Sequence, residues 1–275
     1  MDIDAYLSRI RLDARPAPSL DGLRTLQRAH MLSVPFENLD VFLSRPLDLS
    51  EDALFEKVVT RRRGGYCFEL NTLYAALLRS FGFEVRRRLA RVWLRRPETV
   101  PALTHMALTV TLGGQSYLTD VGFGGMTTRV PVPFGGEAED AEGPVRLRED
   151  DRFGWMLERY NSGPSPVATA AAPQPEGWSP QFSVHGAEVH DSDVALANHF
   201  MQTAPESHFT QGRYVGLFTE SGRDGLVDDA YSRRDGQEVE QRTVPLGEEW
   251  LALLKDRFGL RLNLTDEEHH RLTAT

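Results

Sequence analysis

Arg63-Gly64-Gly65-Tyr66-Cys67-Phe68-Glu69-Leu70-Asn71 carries the only cysteine of a 275-residue chain, and the chain is best understood outward from that sulfur. Two adjacent glycines let the backbone turn tightly. An amphipathic helical pattern then begins at or just after Cys67, with Leu70, Leu73, Leu77 and Leu78 at helical spacing until Gly82 ends the run. Cys67 therefore falls in the first turn of a helix, where free N–H groups and the positive dipole end favour a thiolate. A lone cysteine is more often a buried structural residue than a nucleophile. The flanking glycines and the helix-start position argue the other way, and partners elsewhere in the chain decide.

Composition bounds the remaining possibilities. The chain is long enough to bury a large core in one to three domains. A net charge of −9 argues against non-specific binding to nucleic acid or to an anionic membrane surface. One cysteine permits no intrachain disulfide, which suits a reducing cytoplasm. No opening apolar run resembles a signal peptide and no stretch is long enough to span a membrane, so a cytoplasmic protein is expected. Basic residues are almost all Arg, with Lys only at Lys57 and Lys255.

Residues 1 to about 83 carry helical signals. Asp2 is a cap for a helix through Leu7 and Ile10. Ser19 caps a second helix, with Leu20, Leu23 and Leu26 on one face and Pro35 closing it. Ser50, followed by Glu51 and Asp52, starts a third, and the cysteine helix is the fourth. Between the second and third, Val34-Pro35-Phe36-Glu37-Asn38-Leu39-Asp40 is expected to be a loop held by Pro35, although an ordinary helix-to-loop junction fits equally.

From Phe83 the period changes. Phe83 to Trp93 suggests a strand with polar residues on both faces. Thr104 to Leu112 alternates more cleanly, with Met106, Leu108, Val110 and Leu112 on one side and His105, Ala107, Thr109 and Thr111 on the other. Gly113-Gly114 is a two-residue hairpin turn, and Gln115 to Val121 returns. In that register Leu112 pairs with Gln115, so Ala107 lies opposite Asp120 and His105 opposite Gly122. His105 and Asp120 become diagonal neighbours on one face, with alpha carbons roughly 7–8 Å apart, close enough for imidazole and carboxylate to meet. A three-residue loop would break that parity. A helix-start cysteine, a histidine and an aspartate sharing a face match a nucleophile, a base and the group that sets the base's tautomer.

These stretches together resemble the arylamine N-acetyltransferase family. Arg63 to Asn71 looks like its nucleophile motif, and Val34-Pro35-Phe36-Glu37-Asn38-Leu39 like its upstream signature. Thr104-His105-Met106 and Asp120-Val121-Gly122-Phe123-Gly124 look like the segments that hold its His and Asp. The match covers residues 20 to 130, with a weaker one at Pro205-Glu206-Ser207-His208-Phe209-Thr210. The resemblance implies an α+β fold with a cysteine-protease-like catalytic core. A helical domain over 1–83 would carry the nucleophile, a β-barrel domain over 84–190 the His and Asp, and an α/β lid would span 191–275. It implies Cys67 as acetyl acceptor, His105 as its acid/base partner and Asp120 as the group orienting His105. It also places Phe36, Phe123, Gly124 and Phe209 at the substrate cleft. Acetyl-CoA would be the acyl donor and small arylamines or hydrazines the acceptors, by a ping-pong route through acetyl-Cys67.

The remaining chain is less informative. Gly122-Phe123-Gly124-Gly125 lacks the spacing and the Lys of a phosphate-binding loop. Residues 136 to 153 are expected to be an exposed loop with a short strand, and 162 to 180 a surface connection. A helix is predicted for Asp191 to Met201, then strands for Phe209 to Thr219 and from about Gly225, with a turn at Arg234-Asp235-Gly236 before another strand from Gln237. Glu248 to Phe258 is a helix ended by Gly259, Leu260 to Leu264 a strand, and Thr265 with Glu268 a capping box. His269-His270 is not a metal pair, because adjacent residues point apart on a helix, and no metal is predicted. Arg61, Arg62, Arg63, Arg129 and Arg213 are candidates for coenzyme A phosphates, a solvated surface charge being the plainer reading of each. Three competitors remain. One is a macrolactam-forming amide synthase of the same superfamily, which takes its acyl chain from a carrier protein. A papain-like peptidase is the second, though its third residue is typically Asn. A redox-sensing thiol, the third, would explain neither His105 nor Asp120.

Overall fold

The computed structural model describes residues 1–94, 97–124, 127–161, 176–236 and 238–274. Its N-terminal part is helical, and the three expected caps form. Asp2 accepts from the Ala5 N–H, Ser19 from Gly22 and Ser50 from Ala53, starting helices Ile3–Arg9, Leu20–Ser33 and Glu51–Phe55. The last runs on as a wider π turn, Glu56–Thr60. The cysteine helix is Cys67–Ser80, so Cys67 is its first residue. Its Leu70, Leu73, Leu77 and Leu78 pack with Leu23, Leu26, Leu54 and Val58 and with Leu108 and Val110 of the next layer. Each such fully buried Leu or Val contributes roughly 1.5–3 kcal/mol of transfer free energy.

The middle of the chain is an antiparallel eight-stranded sheet. Its strand order is Val132–Pro133, Gln115–Thr119, Leu103–Leu112, Glu84–Val92, Gly177–Val184, Gly154–Asn161, Gly143–Asp150, Glu137–Asp140. The first and last of these are joined by a few residues of chain. Gly135 donates to Leu147 O and Leu147 to Gly136 O, each at 3.0 Å, so the sheet nearly closes into a barrel. Ala90, Ala107, Leu118, Val145, Leu157 and Phe182 fill its core. The mixed pattern of Glu84–Val92 has a geometric reason. Its first half pairs only with Leu103–Leu112 and keeps charges on the edge, whereas Ala90–Val92 also pairs with Gly177–Val184 and is central. The Gly113-Gly114 turn has φ of +57° and +85°, and Leu112 pairs with Gln115 as the hairpin rule requires.

A second antiparallel sheet of five strands forms the C-terminal part, in the order Phe36–Glu37, Tyr214–Phe218, Gly222–Val227, Ala230–Asp235, Glu238–Thr243. One face, through Val215, Leu226 and Tyr231, packs on Trp250, Leu254 and Phe258 of helix Glu248–Phe258. The other face looks toward the cysteine.

Several expectations give way. Residues 136–153 are not a loop but most of two barrel strands, because Val145 and Leu147 alternate inward and Arg146 and Arg148 pair with Glu158 on the neighbouring strand. Most of 162–180 lies outside the described residues, and from Gly177 the chain is a strand. Phe209 is not in a strand: Ser207 caps a turn of helix, His208–Gln211, and the strand starts at Tyr214. The strand expected from Gly225 is two strands, reversed at Asp228, whose φ is +50°. Leu260 to Leu264 forms no strand; these leucines pack individually into the C-terminal core. Phe36–Glu37, expected in a loop, finds a strand partner only through residues some 180 positions later.

Candidate active site

Cys67 opens its helix through a turn that only glycine allows. A side chain at Gly64 would collide with Pro35 O at 2.1 Å, and one at Gly65 with Glu69. Glu69, two residues into the helix beyond Cys67, reaches back and accepts from the Tyr66 N–H at 3.1 Å. The sulfur is therefore held by its own helix start, 3% exposed.

His105 and Asp120 meet as their register predicts. The ladder holds to Leu108↔Thr119, Asp120 follows directly, and His105 Nε2 lies 2.7 Å from Asp120 Oδ2. The other carboxylate oxygen accepts from Asn71 Nδ2 and from the Gly122 N–H, both at 2.8 Å. Asn71 also donates to Met106 O at 2.7 Å and accepts from the Val121 N–H at 3.1 Å. It thereby stitches the cysteine helix to both strands of the hairpin. That role escaped the sequence reading, although its position four residues after Cys67 places it on the same helix face. Gly122 brings the hairpin against the helix: a side chain there would lie 2.7 Å from Cys67 Cα.

Nε2 being committed to Asp120, Nδ1 is the ring nitrogen left to face the Cys67 sulfur. Burial alone would push the imidazole toward neutrality. The charge of Asp120, the hydrogen bonds to Asp120 and Cys67, and the charge of the sulfur outweigh it and raise the pKa to about 10. The imidazolium is further enclosed by Phe123 and Phe182, whose ring centroids lie 4.8 and 5.0 Å from its own.

Beneath the site lies a buried ionic cluster that sequence reading missed. Lys57 Nζ contacts Glu69 at 2.7 Å and Asp40 at 2.6 Å; Arg63 contacts Glu37 at 2.7 Å and Asp40 at 3.1 Å. Burial opposes each charge, but the neighbours hold Lys57 and Arg63 above, and Asp40 below, their ordinary pKa values. Glu69 is raised by burial despite Lys57. Lys57 standing as the sole lysine of the first 254 residues was the available signal.

The cluster corrects part of the anion-binding expectation. Arg63 is 6% exposed and fully engaged below the helix. Arg129 is buried against Asp140 and Thr219 O. Arg213 bonds Leu272 O, Ala274 O and Asp228 and stacks on Phe42. None of these three lines the cleft. Arg61 and Arg62 are exposed, but neither lines the cleft.

The cleft itself is a cavity of about 350 Å³. Cys67 and His105 line it, and so do all four expected contact residues, Phe36, Phe123, Gly124 and Phe209. Gly124 has φ +77° and lets the backbone pass against the Phe36 ring, from which a Cβ would be 3.3 Å away. Gly125 lies outside the described residues. Among the described residues, no group of three or more His, Cys, Asp or Glu gathers as a metal ion needs, and no helix is long and apolar enough to cross a membrane.

A profile described as N-acetyltransferase matches residues 19–267. The chain is 37% identical over 267 residues to the arylamine N-acetyltransferase of Mycolicibacterium smegmatis, covering 95% of this chain and 93% of that one. The solved arylamine N-acetyltransferase of Salmonella typhimurium superposes with a TM-score of 0.88 at 32% identity, over 99% of this chain and 97% of that one. The Mycobacterium marinum enzyme, solved in complex with CoA, superposes with a TM-score of 0.86 at 33% identity, over 99% and 97%.

Proposed function

Because the chain belongs to the arylamine N-acetyltransferase family of acyltransferases, we propose that it moves an acetyl group from acetyl-CoA to small arylamines and hydrazines through Cys67. The single observation that carries this reading is the line Cys67–His105–Asp120 at the wall of a cavity, with His105 lifted to about 10. We read it as a triad in which Asp120 holds His105 protonated and the imidazolium pairs with the thiolate that attacks.

The thiolate attacks the thioester carbonyl of acetyl-CoA, and the carbon–sulfur bond to CoA breaks. The departing CoA thiolate takes the His105 proton and leaves as the thiol, so acetyl-Cys67 faces a neutral imidazole. Acetylation itself prepares that state, since the sulfur's charge is one of the causes holding His105 up. An arylamine, neutral at physiological pH, then attacks the acetyl carbonyl, and His105 takes its proton as the bond to sulfur breaks. Thiolate and imidazolium are regenerated, and atoms and charge balance over the cycle. Asp120 keeps Nε2 occupied, so that Nδ1 is always the nitrogen presented to the sulfur.

Steady-state kinetics with acetyl-CoA and a panel of arylamines and hydrazines test the scheme. Parallel double-reciprocal lines are expected, with CoA released in quantity only when amine is present. Intersecting lines would mean both substrates bind together and would remove the acetyl-Cys67 intermediate.

A further inference from the structure

The second sheet contributes a row with almost no side chains to the cleft. Phe36 pairs with Gly216, Gly216 with Gly225 and Gly225 with Ser232, so four residues on four strands stand in one line on one face. Their strand neighbours Val215, Leu226 and Tyr231 point the other way, into the core around Trp250. Phe36, Gly216, Gly225 and Ser232 all line the cavity. The line starts beside the sulfur, since Phe36 also bridges to Gly65, two residues before Cys67. From Phe36 to Ser232 it crosses three strand gaps, about 14 Å in all.

Backbone crowding does not explain the glycine at 225, since a Cβ would be tight only against the rotatable Ser232 hydroxyl. Its φ is not in the left-handed region, and a Cβ there would meet only Ser232, at Oγ 3.2 Å and O 4.0 Å. Glycine weakens a strand interior, so a glycine opposite a glycine in the middle of a sheet carries a stability cost without a local return. What it leaves is a bare, flat floor. The flanking pair Tyr214↔Val227 forms one wall, and Arg223 stands on the other side.

The far end is polar. Ser232 is 5% exposed, and Arg223, at 4%, gives Nη1 to Glu142 at 2.7 Å while its buried Nε has no partner among the described residues. Arg223 is almost fully buried and already paired with Glu142, and bringing a further charge there costs its desolvation, so the unused N–H suits a neutral hydrogen-bond acceptor. Resting on the acetyl-transfer reading above, we propose that Gly216 and Gly225 keep open an acceptor trough that selects flat two-ring amines bearing a neutral hydrogen-bond acceptor at the end far from the nitrogen. A single ring covers less than half of the trough and leaves Ser232 and Arg223 unmet.

The test compares aniline, 4-aminobiphenyl and 4′-aminobiphenyl-4-carboxamide with acetyl-CoA as donor. In the wild type, kcat/KM for the carboxamide should exceed that for aniline by about tenfold or more. Gly225→Leu should lower that ratio about tenfold, and Gly225→Ala, the gentler change, should lower it partway. Ser232→Ala should lower the carboxamide-to-biphenyl ratio while leaving the biphenyl-to-aniline ratio in place. Thermal melting identifies any variant that fails to fold, and the wild-type series stands without variants. Equal wild-type ratios overturn the trough, and so does an unchanged ratio in folded Gly225→Leu. Mass spectrometry of Cys67 acetylation without amine adds a third check: if Gly225→Leu slows that step as much as turnover, the donor occupies the trough and the acceptor assignment fails. Absence of transfer even to aniline overturns the acetyl-transfer reading and this one with it; transfer to aniline without two-ring preference overturns the trough alone.

Discussion

Asp120 is 1% exposed, and its carboxylate is saturated by His105, Asn71 and the Gly122 N–H, so its position is over-determined. Asp120→Asn keeps the shape and removes the charge that outweighs burial at His105. Acetylation of Cys67 should fall by about 10²–10⁴-fold, followed by mass spectrometry of the protein with acetyl-CoA. Retention within a few-fold would make Asp120 a structural residue. The same pair sets a pH dependence. His105 is raised from 6.5 to about 10, so the folded state holds a proton that the unfolded chain gives up near 6.5. The stabilisation is complete below about pH 6.5 and is lost as pH rises to about 10, at a slope of at most roughly 1.4 kcal/mol per pH unit. Urea unfolding across that window should show this decline in Cys67→Ser, where no thiol titrates alongside the imidazole, and a flatter profile once His105→Gln is added. Matching profiles would mean the imidazole is not the group being titrated.

At the scale of the element, the cysteine helix starts on top of buried charges. Among the described residues Lys57 is the cation paired with Glu69 Oε1, and Glu69 in turn holds the Tyr66 N–H that defines the helix start. Lys57→Met fills similar volume but strands Glu69 and part of Asp40 without compensation. A loss of about 3–5 kcal/mol is expected from denaturant unfolding, because an unpaired buried charge costs more than the pair contributes. Adding Glu69→Gln should recover part of it, and a double-mutant cycle measures how much. Strictly additive effects would mean the two side chains do not couple. The π turn at Glu56–Thr60 is where Lys57 sits, and its widened geometry accompanies the inward-facing lysine.

At the scale of the molecule, one amide ties the two ends of the chain. Asn38 Nδ2 donates to Phe209 O and Gly212 O at 2.8 Å, and its Oδ1 accepts from the Tyr214 N–H at 2.7 Å. With the Phe36–Glu37 pairing, these bonds fix the five-stranded sheet over the sulfur. Asn38→Ala should leave buried groups unpaired at about 1–3 kcal/mol each. Amide exchange should accelerate first at Tyr214 to Phe218 and around Phe209, with the barrel hairpin slower to respond. Uniform acceleration across the whole chain would instead indicate simple global destabilisation. Because Phe209 and Tyr214 line the cleft, amine KM should rise as well.

The parts of this protein set by short-range rules were legible in its sequence. Asp2, Ser19 and Ser50 cap through their own side chains, and Gly113-Gly114 sets a hairpin register that carries His105 to Asp120 by parity alone. Cys67 at a helix start follows from the two glycines before it. What failed were segments whose partners lie far along the chain. Residues 136–153 look like a loop until Glu158 neutralises their arginines across a strand. Leu260 to Leu264 alternates like a strand but joins neither sheet, its leucines packing into the C-terminal core instead. Arg63, Arg129 and Arg213 look like solvated charges or phosphate ligands, because nothing local shows that Asp40, Asp140 or the last carbonyls wait for them. The trough belongs to the same class. Gly216, Gly225 and Ser232 are nine and seven residues apart, and only strand pairing puts them in one line with Phe36. Sequence determined which side chains could do chemistry; the tertiary structure decided which charges are spent on the fold and where the cleft is left open, since burial and pairing are properties of neighbours that the chain brings together only on folding.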